Sequence, residues 1–188
     1  MSGAAISSSA VGDPRLLAAY GQGVRICAAT DVDWPEIWPF FRGIVADGET
    51  HAYPLDLSSE AAQQLRVGPP PGRTVVMVDD GVREARVLGT ANMGPNRPGR
   101  GSHVAPASFM VSPAAPGRGI GRALGTEAVA WARRAGLHAM QSNAVVDTNT
   151  AAVHLWHALG FATVGIVPEA FDSRIHGLVG LHVMHRLL

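Results

Sequence analysis

The chain has no lysine: all 15 of its basic residues are arginine. That absence most simply reflects a GC-rich coding bias, and it leaves the protein without a side-chain amine of its own. Cysteine is almost missing too. Cys27 stands alone, which excludes an intramolecular disulfide and makes a reducing, cytoplasmic setting the simpler expectation. No excess charge of either sign exists, because 15 acidic residues cancel the 15 basic ones, so neither nucleic acid nor an anionic membrane is expected as a partner. No run approaches the roughly 20 apolar residues that a membrane span requires. The opening "MSGAAISSSAVGDP" lacks a basic start and a compact apolar run, and so does not read as a signal peptide. Residues 1–22 are expected to form a flexible extension, and 23–188 one domain whose core draws on a 47% hydrophobic composition.

What is present reads as alternating strands and helices. "VRICAAT" (24–30) predicts a strand. "DVDWPEIWPFFRGIVADGE" predicts a helix with Asp31 or Asp33 as N-cap and Pro35 tolerated early. "DLSSEAAQQLR" predicts a second, shorter helix begun by Ser58 or Ser59, and "GPPPG" (68–72) breaks the chain. Two strands follow around a turn at Asp79, Asp80 and Gly81, and then "HVAPASFMVS" (103–112), where Pro106 argues for an edge, a bulge or a late start. Ile120, Leu124, Ala128, Trp131 and Ala135 mark one face of a helix ending at Gly136. A strand over 138–146, a compact helix in "DTNTAAVHLWHALG" and the closing strands "FATVGIVP" and "LVGLHVMHRL" complete the order β-αα-βββ-α-β-α-ββ. This is a single α/β domain with a mixed sheet.

The most informative stretch is "SPAAPGRGIGRALG" (112–125), which sets Gly117, Gly119, Gly121 and Gly125 at the mouth of a helix with Arg118 and Arg122 among them. A helix N-terminus offers unpaired backbone N–H groups and partial positive charge, and glycines let a phosphate approach the backbone. The physical reading is a phosphate or pyrophosphate cradle. The alternative is a plain strand-to-helix connection whose glycines only permit close packing. The stretch is not a P-loop, because no Gly-Lys-Ser/Thr follows, nor a convincing Rossmann fingerprint, which should follow a first strand.

"FMVSPAAPGRGIGRALGTEAVAWARRAG" resembles the acetyl-CoA signature of the GNAT superfamily of N-acetyltransferases, and "NTAAVHLWHALGF" resembles its second motif. The resemblance covers roughly residues 24–188. It implies a GNAT-like acyl-CoA N-acyltransferase fold with a V-shaped opening between two central strands. It also implies acetyl-CoA as co-substrate, with its pyrophosphate on Gly117, Arg118, Gly119, Ile120, Gly121 and Arg122 and its pantetheine arm beside Met110 and Val111. Asn149 would bond that arm, cap its own helix, or do both, and Trp156 would wall the cofactor. "GSHVAPASFMV" and "AMQSNAVVDTNTAAVHLW" are similar to a subgroup that includes azetidine-2-carboxylate acetyltransferases, which implies that Asn143 helps to hold the acceptor. Three departures stand out. Pro116, where the family usually has Arg or Gln, has no N–H to donate. Pro106 stands where the subgroup often has Asn, and Trp156 stands where many members carry a tyrosine acid, yet an indole supplies no acidic proton.

The implied reaction is direct attack of an amine on the thioester, with backbone N–H groups near Val111 polarising the carbonyl. His103 is a candidate base with a suitable ordinary pKa, or a structural histidine; Asp147 is a base or a helix cap. Glu49 and His51 select a cationic or zwitterionic acceptor, or sit in a solvated loop. His154 with His157 and His182 with His185 have suggestive spacing, but no cysteine pair or compact carboxylate cluster completes a site, so no metal is expected. The four tryptophans read as core or cofactor-wall packing. The implied acceptor is a small-molecule amine or an amino acid. The alternatives are a protein amine, or a CoA-binding sensor without turnover, and the C-terminal strand could pair across a homodimer.

Overall fold

The computed structural model describes residues 23–67, 71–81 and 86–188. The expected extension at 1–22, residues 68–70 of the proline cluster and the far side of the turn at 82–85 lie outside the described residues. The first strand, β1 (Val24–Ala28), leads through a 3-10 turn (Asp31–Asp33) into helix α1 (Trp34–Asp47), and α2 spans Ser59–Arg66. Ser58 begins α2 as the sequence suggests, its Oγ accepting from the Ala61 N–H at 3.2 Å. Asp33 stands at the N-cap position of α1, but its carboxylate turns back to accept from the Thr30 N–H at 2.7 Å and closes the preceding 3-10 turn instead of capping the helix. Strands β2 (Arg73–Asp79) and β3 (Arg86–Met93) follow.

The fourth expected strand is in fact two. Val104–Ala105 forms β4 and Ala107–Val111 forms β5, separated by Pro106. The pieces join different sheets: β4 runs parallel to β6 (Ala139–Val146), whereas β5 runs antiparallel to β3. Proline lacks the N–H a ladder needs, and the chain forks there. The expected mixed sheet is therefore two four-stranded sheets, ordered β1-β2-β3-β5 and β4-β6-β8-β7. The second contains the closing hairpin of β7 (Ala162–Ser173) and β8 (Gly177–Leu187), with β7 running further than the sequence suggests.

Helix α3 (Ile120–Arg134) packs on one face of the first sheet and α1 on the other; α4 (Thr150–Ala158) lies beside α3. Alternation along β2 divides the core. Val75 and Met77 join Ile120, Leu124 and Ala128, while Val76 and Val78 join Ile37, Phe40 and Phe41. Two glycines set the position of α3. A Cβ on Gly89 would stand 3.1 Å from both Ile120 and Leu124, and one on Gly125 would stand 2.3 Å from Leu159. Close packing, the alternative for the glycine run, is thus the role of Gly125. The buried stripe of α3 turns through Ala132 rather than Ala135, which is exposed, because Gly136 ends the helix with its outer face to solvent.

Candidate active site

The fork at Pro106 leaves the cleft-facing edge of β5 unpaired. Ser112 N–H bonds Leu88 C=O at 2.9 Å, and the pairs Met110↔Thr90 and Ser108↔Asn92 share its register parity. Their backbone groups therefore face β3. The backbone groups of Phe109 and Val111 point the other way, toward β6. Between the two strands lies a cavity of about 600 Å³.

One end of the cavity is bounded by Val111, Gly121, Asn149, Leu155 and Trp156. Gly117 and Gly119 both have φ of 70°, a left-handed conformation that favours glycine. A Cβ on Gly117 would meet nothing within 4 Å, whereas one on Gly121 would press on Leu155 at 3.2 Å. The first turn of α3 leaves the N–H groups of Ile120, Gly121 and Arg122 without helical partners. Arg122 is exposed. Arg118 is not free, since its Nη2 donates to Asp79 Oδ2 at 2.9 Å and so anchors the loop to the end of β2. Asn149 caps α4 by accepting from the Ala152 N–H at 3.1 Å, which leaves its amide N–H₂ as its donor. Trp156 stacks on Phe109 with centroids 4.9 Å apart and meets Phe161 edge-on at 4.6 Å. Met110 does not line the cavity: its side chain is buried on the α1 side and its backbone serves β3.

The other end is bounded by His51, Tyr53, Ser108, Asn143 and Phe171. Gly48 ends α1 in a left-handed conformation, and the chain then passes along this end. Glu49, expected to touch the acceptor, lies outside the lining. Its Oε2 accepts from Ser173 Oγ at 2.7 Å and its Oε1 from the Ile175 N–H at 2.9 Å, so it ties this segment to the β7–β8 hairpin. His103 also lies outside. It is exposed where β4 begins, its ring 6.2 Å from that of His138. Asp147 pairs with His182 Nε2 at 2.7 Å.

Asn143 sits in a bulge, where the β6–β8 register shifts between Ser142 and Val145. Its amide is held from both sides: Gln141 Nε2 donates to Asn143 Oδ1 at 2.8 Å, and Asn143 Nδ2 donates to Asn96 Oδ1 at 2.6 Å. One N–H and one lone pair remain. Burial pushes His51 down to about 4, assisted by the Arg66 guanidinium and opposed by its bond to the Phe109 carbonyl. The imidazole is therefore neutral at pH 7. Arg66 itself is buried, and Nη1 donates to Ser108 Oγ at 3.0 Å. Tyr53, Ser108, Arg66, Gln141 and Asn96 are absent from the sequence reading. No motif marks them, and only the pairing of distant segments brings them together. Among the described residues no metal-binding group of His, Cys, Asp or Glu exists, and no helix is long and apolar enough to cross a membrane.

Two sheets parted at a proline, with a glycine loop and a helix N-terminus at one mouth of the gap, define an acetyltransferase fold. The chain matches the acetyltransferase (GNAT) family over residues 34–161 and belongs to it. It is similar to a GCN5-related N-acetyltransferase from Kribbella flavida, at 55% identity and a TM-score of 0.84, over 89% of this chain and 99% of that one. It shares its fold with yncA from Salmonella typhimurium, a putative acetyltransferase whose structure holds its cofactor acetyl-CoA. There the TM-score is 0.74 and the identity 24%, over 89% and 95% of the two chains. N-acetyltransferase aca1 of Schizosaccharomyces pombe is 37% identical over 90 residues, which is 48% of this chain and 43% of that protein; the chain spans less than half the length of that relative. The co-substrate of this family is acetyl-CoA, and the residues present fit it: open space in front of Gly117, a helix N-terminus, and an edge of β5 at Val111 that no strand pairs.

Proposed function

We propose that the chain transfers the acetyl group of acetyl-CoA to the amine of a small molecule, in a complex holding both substrates. One observation carries the reading: the cavity runs from the glycine-loop side, along the unpaired edge of β5, to His51, Tyr53 and Asn143. Phosphates fit Gly117 to Arg122, and the Val111 backbone groups with the Phe109 N–H suit a pantetheine arm lying as an added strand. The Val111 N–H polarises the thioester carbonyl. The amine nitrogen forms the new C–N bond, the C–S bond breaks, and the amine proton passes to water or to the departing thiolate. Trp156 cannot donate that proton. His51, with its depressed pKa, is a weak base and acts as a hydrogen-bond partner for the amine, which attacks as the free base.

A small acceptor is preferred here over a protein chain; Phe171 of β7 is among the residues lining the acceptor end. Cyclic amino acids of the azetidine-2-carboxylate type are the first acceptors to try, given the resemblance around Asn143. The test is thiol release from acetyl-CoA across amino acids, cyclic imino acids, polyamines and peptides, with calorimetric binding of acetyl-CoA measured in parallel. Turnover with a small acceptor supports the reading. Tight binding without turnover on any member favours a non-catalytic CoA-binding module, and turnover on peptides alone favours a protein acceptor.

A further inference from the structure

Arg66 is a deeply buried cation. It is 1% exposed, and its Nε and Nη2 have no partner in hydrogen-bond geometry among the described residues. Burial of a cation without a paired anion costs several kcal/mol, on the order of what a protein-internal ion pair would offset. Among the described residues no carboxylate forms an ion pair with it. The Tyr53 phenol favours the charged form against the burial that pushes the guanidinium down. The cavity is lined by no Asp or Glu among the described residues. The neighbouring Glu49 is held by Ser173 and Ile175. The position is nonetheless fixed: Thr74 Oγ1 and Asn92 Nδ2 both donate to the Arg66 carbonyl, the latter at 3.0 Å.

The guanidinium acts on the cavity through side chains that do line it. Arg66 Nη1 donates to Ser108 Oγ, so the Ser108 hydroxyl is an acceptor on that side and its own proton must point elsewhere. Tyr53 lies beside the cation and lines the same end, so its hydroxyl sits in the same field. A hydroxyl that accepts from a cation is polarised into a stronger donor. His51 registers the same field, which lowers its pKa.

We infer that Arg66, acting through the Ser108 and Tyr53 hydroxyls, makes the acceptor end a carboxylate subsite, so that the enzyme selects amines carrying a carboxylate close to the reacting nitrogen. This inference rests on the acetyl-transfer reading above. It also assigns a second effect. Positive potential disfavours an ammonium, so the field that attracts the carboxylate lowers the pKa of the adjacent amine and enriches the free base that attacks. Arg66 is a positioning residue; Ser108 and Tyr53 make the contact.

The experiment compares acceptors with and without the anion, L-proline with L-prolinamide and pyrrolidine, and glycine with glycinamide, with each kcat/KM corrected to the free-base fraction of that amine. The chain is used intact, as wild type, Ser108→Ala and Tyr53→Phe. The expected result is a kcat/KM for the carboxylates about 10- to 100-fold above the carboxamides, the range for hydrogen bonds to a charged group. Each variant should narrow that ratio by about tenfold without changing the Kd for acetyl-CoA. Loss of packing alone would lower both acceptors together and leave the ratio in place. If the panel supports no transfer, the same pairs are titrated calorimetrically into the protein saturated with CoA, and the same ratios are read as Kd. Equal use of carboxylate and amide, or a ratio unchanged in both variants, overturns the subsite and leaves acetyl transfer standing. Absence of acetyl-CoA binding would instead count against the acetyltransferase itself.

Discussion

Asp79, the last residue of β2, holds Arg118 of the glycine loop at 2.9 Å across 39 residues of sequence. The carboxylate side chain is 12% exposed and the arginine 40%, so the pair is half in water and contributes at most about 1 kcal/mol to stability. Its larger effect is on the loop that it holds. Asp79→Asn should raise the Kd for acetyl-CoA about three- to tenfold while moving Tm little, within the range of a partly exposed ion pair. Calorimetry and thermal unfolding of the variant check both halves. Tighter binding would mean that Asp79 competes with a phosphate for Arg118.

Gly119 caps α3 at φ 70°. Gly119→Asp adds a side chain where the backbone is left-handed and puts a negative charge at the helix N-terminus where phosphate is expected. Together these should weaken acetyl-CoA by at least about 100-fold, near 3 kcal/mol. Undiminished affinity by calorimetry would refute the cradle.

Asn143→Ala removes the middle of the amide chain running from Gln141 to Asn96. The acceptor KM should rise about tenfold, the cost of one or two hydrogen bonds, with the acetyl-CoA KM nearly unchanged. Steady-state kinetics with each substrate varied in turn decides this. Equal increases in both constants would make Asn143 a structural tie between the sheets.

His51 makes stability depend on acid. Its folded pKa is about 4 against an ordinary 6.5, so between those values the unfolded chain binds the proton that the folded chain excludes. This contribution to stability is fully present above pH 6.5, declines as pH falls, and is lost by about pH 4; it amounts to at most about 3 kcal/mol. His51→Gln should flatten the loss of denaturant midpoint between pH 7 and 4.5 relative to wild type. An unchanged slope would mean that His51 is well solvated.

Much of the fold is legible in the residues. The helical spacing of Ile37, Phe40, Phe41, Ile44 and Val45 predicts α1, and Ser58 marks the start of α2, because both signals act within a turn or two of chain. Pro106 is legible as an interruption, but its consequence is not: which sheet each half joins depends on partners near 90 and 140. The site divides in the same way. The glycine loop and Asn149 stand out because their work is local backbone work. Arg66 does not, since nothing in "SEAAQQLR" distinguishes an arginine that will be buried from one that will be solvated. The places of Glu49 and His103 are not legible for the same reason. Their types suit the chemistry, but a hairpin more than 120 residues away holds the first, and the second is exposed beside His138.

The fork at Pro106 gives β5 an edge that faces into the molecule. A free strand edge on the outside of a protein is an invitation to any passing chain, and proteins usually blunt it with charge, proline or a bulge. Here the Phe109 and Val111 edge is left without a ladder partner, His51 bonding the Phe109 carbonyl, and it faces a cavity whose lining includes Trp156 and His51. The feature that would promote aggregation on the surface becomes, in this interior position, a docking rail that admits a narrow guest and turns away another sheet.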